Sequence, residues 1–157
     1  MARLDRGEAA ALLERFRRHL REHHQPVTRQ RDLVAQLVFL SEDHLSVEAI
    51  RRELKQQSER VGTATIYRTL DLLVESGLVR AHDFGEGYKR YEPMPAPAAD
   101  HEHLICQRCG RVVEFSNERL ERMLPVLADE HGFQHRRHRL EIYGICRECR
   151  QRDLGPL

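Results

Sequence analysis

Four cysteines arranged as two Cys-x-x-Cys pairs constrain this chain more than any other feature. Cys106 and Cys109 form one pair, Cys146 and Cys149 the other, and no cysteine is left over. Each pair can bite one side of a tetrahedron, and thiolate is the donor that a structural zinc ion favours. The 36 residues between the pairs leave room for a helix and a strand, so the fold must bring two distant knuckles together. With thiolate in all four positions, the zinc is expected to be closed and structural. Inert thiols or an iron–sulfur centre are the alternatives.

Immediately upstream, Asp100-His101-Glu102-His103 runs into the first pair. His101 and His103 are two apart, so on a strand both rings face one side, with Asp100 and Glu102 on the other. Imidazole mixed with carboxylate suits Fe(II), Mn(II), Zn(II), Co(II) or Ni(II), and a second, separate metal is expected there. A strand of solvated polar residues is the bland alternative.

At 157 residues the chain can form one moderate domain or two small ones. A C-terminal domain of about 60 residues is short of core, and a metal cross-link makes up part of that shortfall. Lys and Arg total 26 against 25 acidic residues, so net charge gives almost no support for nucleic-acid binding. Any basic surface must come from local placement. No apolar run approaches a membrane span and residues 1–25 lack the apolar stretch of a signal peptide. A cytoplasmic protein is expected, where paired cysteines hold metal rather than form disulfides.

In the N-terminal half, Ala11, Leu12, Phe16 and Leu20 fall near helical spacing over residues 8–24, and Pro26 ends that helix. Thr28 is placed to cap a second helix with a Leu33, Leu37, Leu40 stripe and Val34 beside it, and Ser46 a third through Val47, Ile50 and Leu54. A fourth follows Gly62, burying Ile66, Leu70 and Leu73, with Gly77 at its C-terminal end. Its outer face carries Thr63, Thr65, Tyr67, Arg68 and Thr69, groups able to donate to phosphates and read base edges. A solvated face with Tyr67 packed on a neighbour is the bland reading. Alternating apolar residues on either side of Gly85-Glu86-Gly87 then predict a hairpin, with Lys89 and Arg90 positioned for phosphate contact.

Short helices followed by a hairpin make a winged helix-turn-helix over residues 1–92. The Pro/Ala-rich residues 93–99 read as a hinge, and residues 100–157 as a metal-binding dimerisation domain. In that last part, Leu104-Ile105 and Val112-Val113 predict short strands flanking the first knuckle. Residues 117–131 predict a helix with Leu120, Leu124 and Leu127, interrupted or re-started at Pro125 and ended by Gly132. Residues 133–143 read as strand. The expected class is α+β: a winged helix joined by a short hinge to a small zinc-stapled α/β dimerisation domain.

Several strings taken together resemble the ferric uptake regulator family of bacterial metal-sensing repressors. They are Thr28-Arg29-Gln30-Arg31, Ala64-Thr65-Ile66-Tyr67-Arg68-Thr69-Leu70, His82-Asp83-Phe84, His101-Glu102-His103-Leu104-Ile105-Cys106, and Cys109-Gly110-Arg111-Val112-Val113-Glu114-Phe115. The resemblance covers nearly the whole chain and implies a homodimer bound to palindromic operator DNA, with no small-molecule substrate and no membrane. It implies a regulatory metal held by His44, Glu92, His101, His103 and Glu114, and a third metal drawing on Asp100, Glu102, Glu121 and His138. Asp100 stands where many members have histidine. Tyr67 is implied to reach bases and Arg68 the backbone or bases, while Pro26 occupies a position that is basic in many relatives, a role Arg29 could assume. The linker is about two residues longer than usual.

Ligand type points to subtype. Zinc-sensing relatives usually add a cysteine to the regulatory site, and none is spare here. Peroxide-sensing relatives typically have aspartate where this chain has Glu114. Fe(II) is therefore the expected regulatory metal, with Mn(II), Zn(II) or Co(II) as surrogates; zinc- and peroxide-sensing regulators are the alternatives within the family. A zinc hydrolase would need a His-Glu-x-x-His helix or a nucleophile dyad, and neither is present. A zinc-knuckle protein-interaction module leaves the Thr/Tyr/Arg helix and the wing unexplained.

Overall fold

The computed structural model describes residues 4–94 and 102–153. Asp100, His101 and the hinge residues from Pro95 to Ala99 lie outside the described residues. The chain divides into two compact units, Met1–Ala98 and Ala99–Leu157.

The first unit begins with α1 (Arg6–Glu22), whose N-terminus is closed by a reciprocal capping box between Asp5 and Glu8. The helix ends at Glu22, ahead of Pro26, with His24 in the left-handed region. Next come α2 (Arg29–Leu40), the two-residue strand β1 (Leu45–Ser46), α3 (Val47–Gln56) and α4 (Thr63–Glu75). Thr28 and Ser46 cap α2 and α3 as expected. The hairpin is β2 (Val79–Asp83) and β3 (Lys89–Pro93), and the sheet order is β1-β3-β2, all antiparallel.

One core holds this unit: Phe16 and Leu20 of α1, Phe39 and Val38 of α2, Ile50 and Leu54 of α3, and Ile66, Leu70 and Leu73 of α4. Two sequence readings are corrected. The buried stripe of α2 is Val34, Ala35, Val38 and Phe39; Leu33 and Leu37 are only partly buried and Leu40 is exposed. Both stripes fit a 3.6-residue period, and packing between α1 and α4 selects one. Thr69 is not on the outer face of α4: it is fully buried, and its hydroxyl donates to the Thr65 carbonyl at 2.7 Å.

The second unit contains β4 (Glu102–Cys106), β5 (Val112–Phe115), α5 (Glu118–Glu130), β6 (Glu141–Gly144) and α6 (Arg147–Asp153). Its sheet runs β5-β4-β6, with β5 antiparallel and β6 parallel to β4. Asn117 caps α5, which continues through Pro125 to Glu130, with Gly132 at positive φ just beyond. The predicted strand over residues 133–143 is corrected: only Glu141–Gly144 pairs, and residues 133–140 are irregular. The short α6, which starts just after Cys146 and carries Cys149, has no apolar period to betray it.

The second unit buries little apolar surface of its own. Among its described residues only Ile105, Cys106 and Cys149 are buried apolar groups, and α5 buries none. Leu104, Val113 and Ile142 of the sheet, Met123, Val126 and Leu127 of α5, and Phe133 are exposed. A unit so poorly cored needs a cross-link, a partner, or both.

Candidate metal centres and nucleic-acid interface

The four thiolates do come together. The Sγ atoms of Cys106, Cys109, Cys146 and Cys149 all lie within 4.8 Å of one another. Cys109 and Cys146 are 3.8 Å apart, matching the edge of about 3.8 Å expected for a tetrahedron with Zn–S bonds of about 2.3 Å. The first knuckle turns at Gly110, whose φ of 71° favours glycine, and is tied by the Gly110 N–H to the Cys106 carbonyl at 2.9 Å. Across the site the Gln107 N–H donates to the Gly144 carbonyl at 2.8 Å, and Arg111 holds Glu148 at 2.6 Å. Both knuckles are thus fixed by contacts that do not need the ion.

The local electrostatics fit a cation. Cys106 is lowered to about 6, first by the Cys146 N–H donating to its sulfur at 3.3 Å and then by the Cys109 N–H. Cys149 is pushed up to about 12 by burial and by its neighbouring sulfurs. Four adjacent sulfurs cannot all ionise together without a positive charge among them, so the donor set fits a zinc-type ion.

In the first unit, three side chains converge on one buried face of the sheet. Glu92 on β3 is 1% exposed; His82 on β2 reaches its Oε1 at 2.7 Å, and His44, just before β1, stands 3.1 Å from Oε2. The register explains this. Leu45 pairs with Tyr91, which places His44 beside Glu92, and His82 pairs with Arg90, one diagonal step away. Phe84 stacks on His82 at 5.2 Å and meets His44 edge-on at 5.7 Å. A donor atom from each of His44, His82 and Glu92 lies within 4.8 Å of the others. Sequence reasoning passed over His82, although its place across the hairpin from Glu92 was the available signal.

In the second unit, His103 is buried on β4, opposite Glu114 of β5. Glu102, pointing the other way, is fully buried and shares a cluster with His138 and Glu121, each offering an atom within 4.8 Å. His138 Nε2 lies 3.4 Å from Glu102 Oε1.

The residues assigned to nucleic acid are all in the first unit. No side chain caps α4 at Gly62 and no acidic residue occupies its first turn, which leaves a helix N-terminus suited to phosphate. Thr63, Tyr67 and Arg68 are exposed, while Thr65 is half-buried. Tyr67 borders a groove of about 670 Å³ between α4 and the wing, with Tyr88 and Lys89 on the opposite wall. Lys89 is exposed, whereas Arg90 is held by Glu86 at 2.6 and 2.7 Å and lies over the Tyr88 ring. Arg29 at the start of α2 is exposed and pairs with Glu59.

Residues 13–143 match the ferric uptake regulator family. The chain belongs to that family. It is 38% identical over 148 residues to the ferric uptake regulation protein of Campylobacter jejuni, covering 93% of each, and 34% identical over 143 residues to that of Bacillus subtilis, covering 90% of this chain and 96% of the relative. The Helicobacter pylori ferric uptake regulator superimposes with a TM-score of 0.84 at 25% identity, over 96% of this chain and 97% of that one. A zinc-bound manganese uptake regulator superimposes at 0.67 with 36% identity, over 83% and 98%. Ferric uptake regulator proteins are DNA-binding transcriptional regulators and not enzymes, and they generally act as homodimers. The winged helical unit and the β-rich unit with its thiolate cluster match the family fold. Among the described residues, no helix is long and apolar enough to cross a membrane.

Proposed function

We propose that this chain is an Fe(II)-responsive repressor that binds palindromic operator DNA as a homodimer and carries zinc in its thiolate cluster. The observation that carries the reading is the buried carboxylate of Glu92 held between two imidazoles, in a member of a metal-responsive family. The regulatory metal is assigned to His44, Glu92, His101, His103 and Glu114. A third cation is assigned to Asp100, Glu102, Glu121 and His138. A bound divalent ion supplies positive charge and coordinate bonds to these donors.

The chain's own residues do the rest. His82 and Glu92 lie on the paired strands β2 and β3, and His44 lies just before β1, so fixing their geometry fixes the wing. Tyr67 and Arg68 then address bases and backbone in the major groove, with Thr63, Thr65, Arg29 and Lys89 on phosphates. Arg90 serves DNA through the shape of the wing, since Glu86 holds its guanidinium. A second copy covers the exposed apolar residues of the second unit and pairs the two winged helices. Metal binding and DNA affinity are then linked through a shift in population.

Iron is favoured over zinc and peroxide sensing by Glu114 and by the lack of a fifth cysteine. The deciding experiment is operator binding by zinc-retaining protein, titrated anaerobically with Fe(II), Mn(II) and Zn(II) under buffered free metal. Tightening with Fe(II) or Mn(II), lost in His103→Ala, supports the proposal. Tightening only with trace Zn(II) moves the protein to the zinc-sensing subtype, and equal affinity without metal refutes regulation altogether.

A further inference from the structure

Among the described residues of the second unit, Oε2 of Glu102, Nδ1 of His138 and Nε2 of His135 are buried without a hydrogen-bond partner. Buried polar atoms are ordinarily satisfied, and each of these three can offer a lone pair. They are neighbours. His138 contacts Glu102 at 3.4 Å, and the His135 ring lies 5.4 Å from the His138 ring, tilted by 33°. Glu102 itself is fully buried, which is costly for a carboxylate that, among the described residues, meets only His138.

We propose that His135 is a further ligand of the cation held by Glu102, Glu121 and His138, and that it sets which cation the site prefers. This rests on the reading that those three residues hold a metal. His135 lies in the irregular residues 133–140, outside any strand ladder, so a change of rotamer can turn its ring toward the shared space. With Asp100, Glu102 and Glu121, the resulting set is two imidazoles and three carboxylates. That set favours Zn(II), Co(II) or Ni(II), whereas one imidazole with carboxylates leans toward Mn(II).

The test uses the full chain with zinc retained at the thiolates and with His44→Ala introduced to silence the regulatory donors. Co(II) is titrated by its visible absorption and Mn(II) by electron paramagnetic resonance. In this background, His135→Ala and His135→Gln are expected to weaken Co(II) binding by about 10- to 100-fold. Mn(II) binding should change by no more than about threefold, since carboxylates dominate for that ion. The Gln134→Ala neighbour should behave as the parent. If both His135 variants bind Co(II) like the parent while His138→Ala does not, His135 only packs against a ligand and the inference is overturned. If His138→Ala also leaves the Co(II) equivalent unchanged, the three-residue site itself is refuted, and the inference falls with it.

Discussion

His82 and Glu92 are joined across the wing hairpin at 2.7 Å, with both side chains buried, so β2 orients a carboxylate on β3 that is proposed to bind metal. Because a carboxylate only accepts, Nε2 of His82 carries the proton in this contact. Such supporting contacts tune metal affinity from outside the ligand shell. His82→Ala is expected to raise the free metal needed for half-maximal operator binding by about 10- to 100-fold. Zinc content should stay at the parental level. An unchanged midpoint in a metal-buffered anisotropy titration would contradict the role.

Cys106→Ser should abolish zinc retention and loosen the dimer, read by elemental analysis and light scattering. The loss of stability should be several kcal/mol, since structural zinc contributes on the order of 10 kcal/mol in small zinc domains. A zinc-loaded dimeric variant would contradict the structural role.

Metal-stripped, reduced protein should show a thiol-dependent pH profile. Cys106 titrates at about 6 in the fold, below the ordinary thiol value of 9.0, so its stabilising contribution grows from about pH 6 to 9 and is lost on acidification. Cys149 is raised to about 12, so its contribution is complete below 9 and lost as pH rises toward 12. Thermal midpoints of the stripped protein should therefore peak near the ordinary thiol value. The Cys106→Ser variant should lose the acid-side rise; an identical rise in that variant would rule out Cys106 as its source.

Lys89 and Arg90 should separate in a salt titration. Lys89 is exposed, and Lys89→Ala should lower the slope of log affinity against log salt by about one. Arg90→Ala should leave the slope near parental while weakening binding through the wing. Glu86→Gln, which frees the guanidinium, should steepen it. Glu86 is held below the ordinary carboxylate range chiefly by its hydrogen bonds from Arg90, so the wing contact persists at neutral pH and fails only as pH falls through that lowered value.

Tyr67 is half-exposed on α4, so Tyr67→Ala should cost about 1–3 kcal/mol of operator affinity with little change in melting temperature. Its fully buried neighbour Ile66 should show the reverse emphasis, with Ile66→Ala costing about 2–5 kcal/mol of stability. Equal losses of melting temperature in both would place Tyr67 in the core rather than at an interface.

The parts of this molecule that were legible in sequence are those with a strong local code. The Ile66, Leu70, Leu73 stripe of α4, the Thr28 and Ser46 caps and the Gly85-Glu86-Gly87 turn each carry their own geometry. The α2 stripe was misassigned because two apolar rows satisfy the same period, and only the neighbouring helices choose between them. Thr69 was placed outside because its type is polar, although a helix interior can absorb a hydroxyl that bonds back to its own backbone. Among metal donors, the cysteines announced themselves by spacing. His44 did not, because its position depends on the two-residue strand β1 meeting β3, a long-range pairing with no local signature.

The thiolate cluster spans β5, α5 and β6, which all lie between its first pair and its last. The cluster therefore ties together elements from most of its unit, whereas His82 and Glu92 sit on two strands of one sheet with His44 just before the third. The two centres should therefore keep different time. On the proposed reading, zinc at the sulfurs would record the moment the chain folded, while metal at the histidine and carboxylate donors would follow whatever the surroundings offer at that instant.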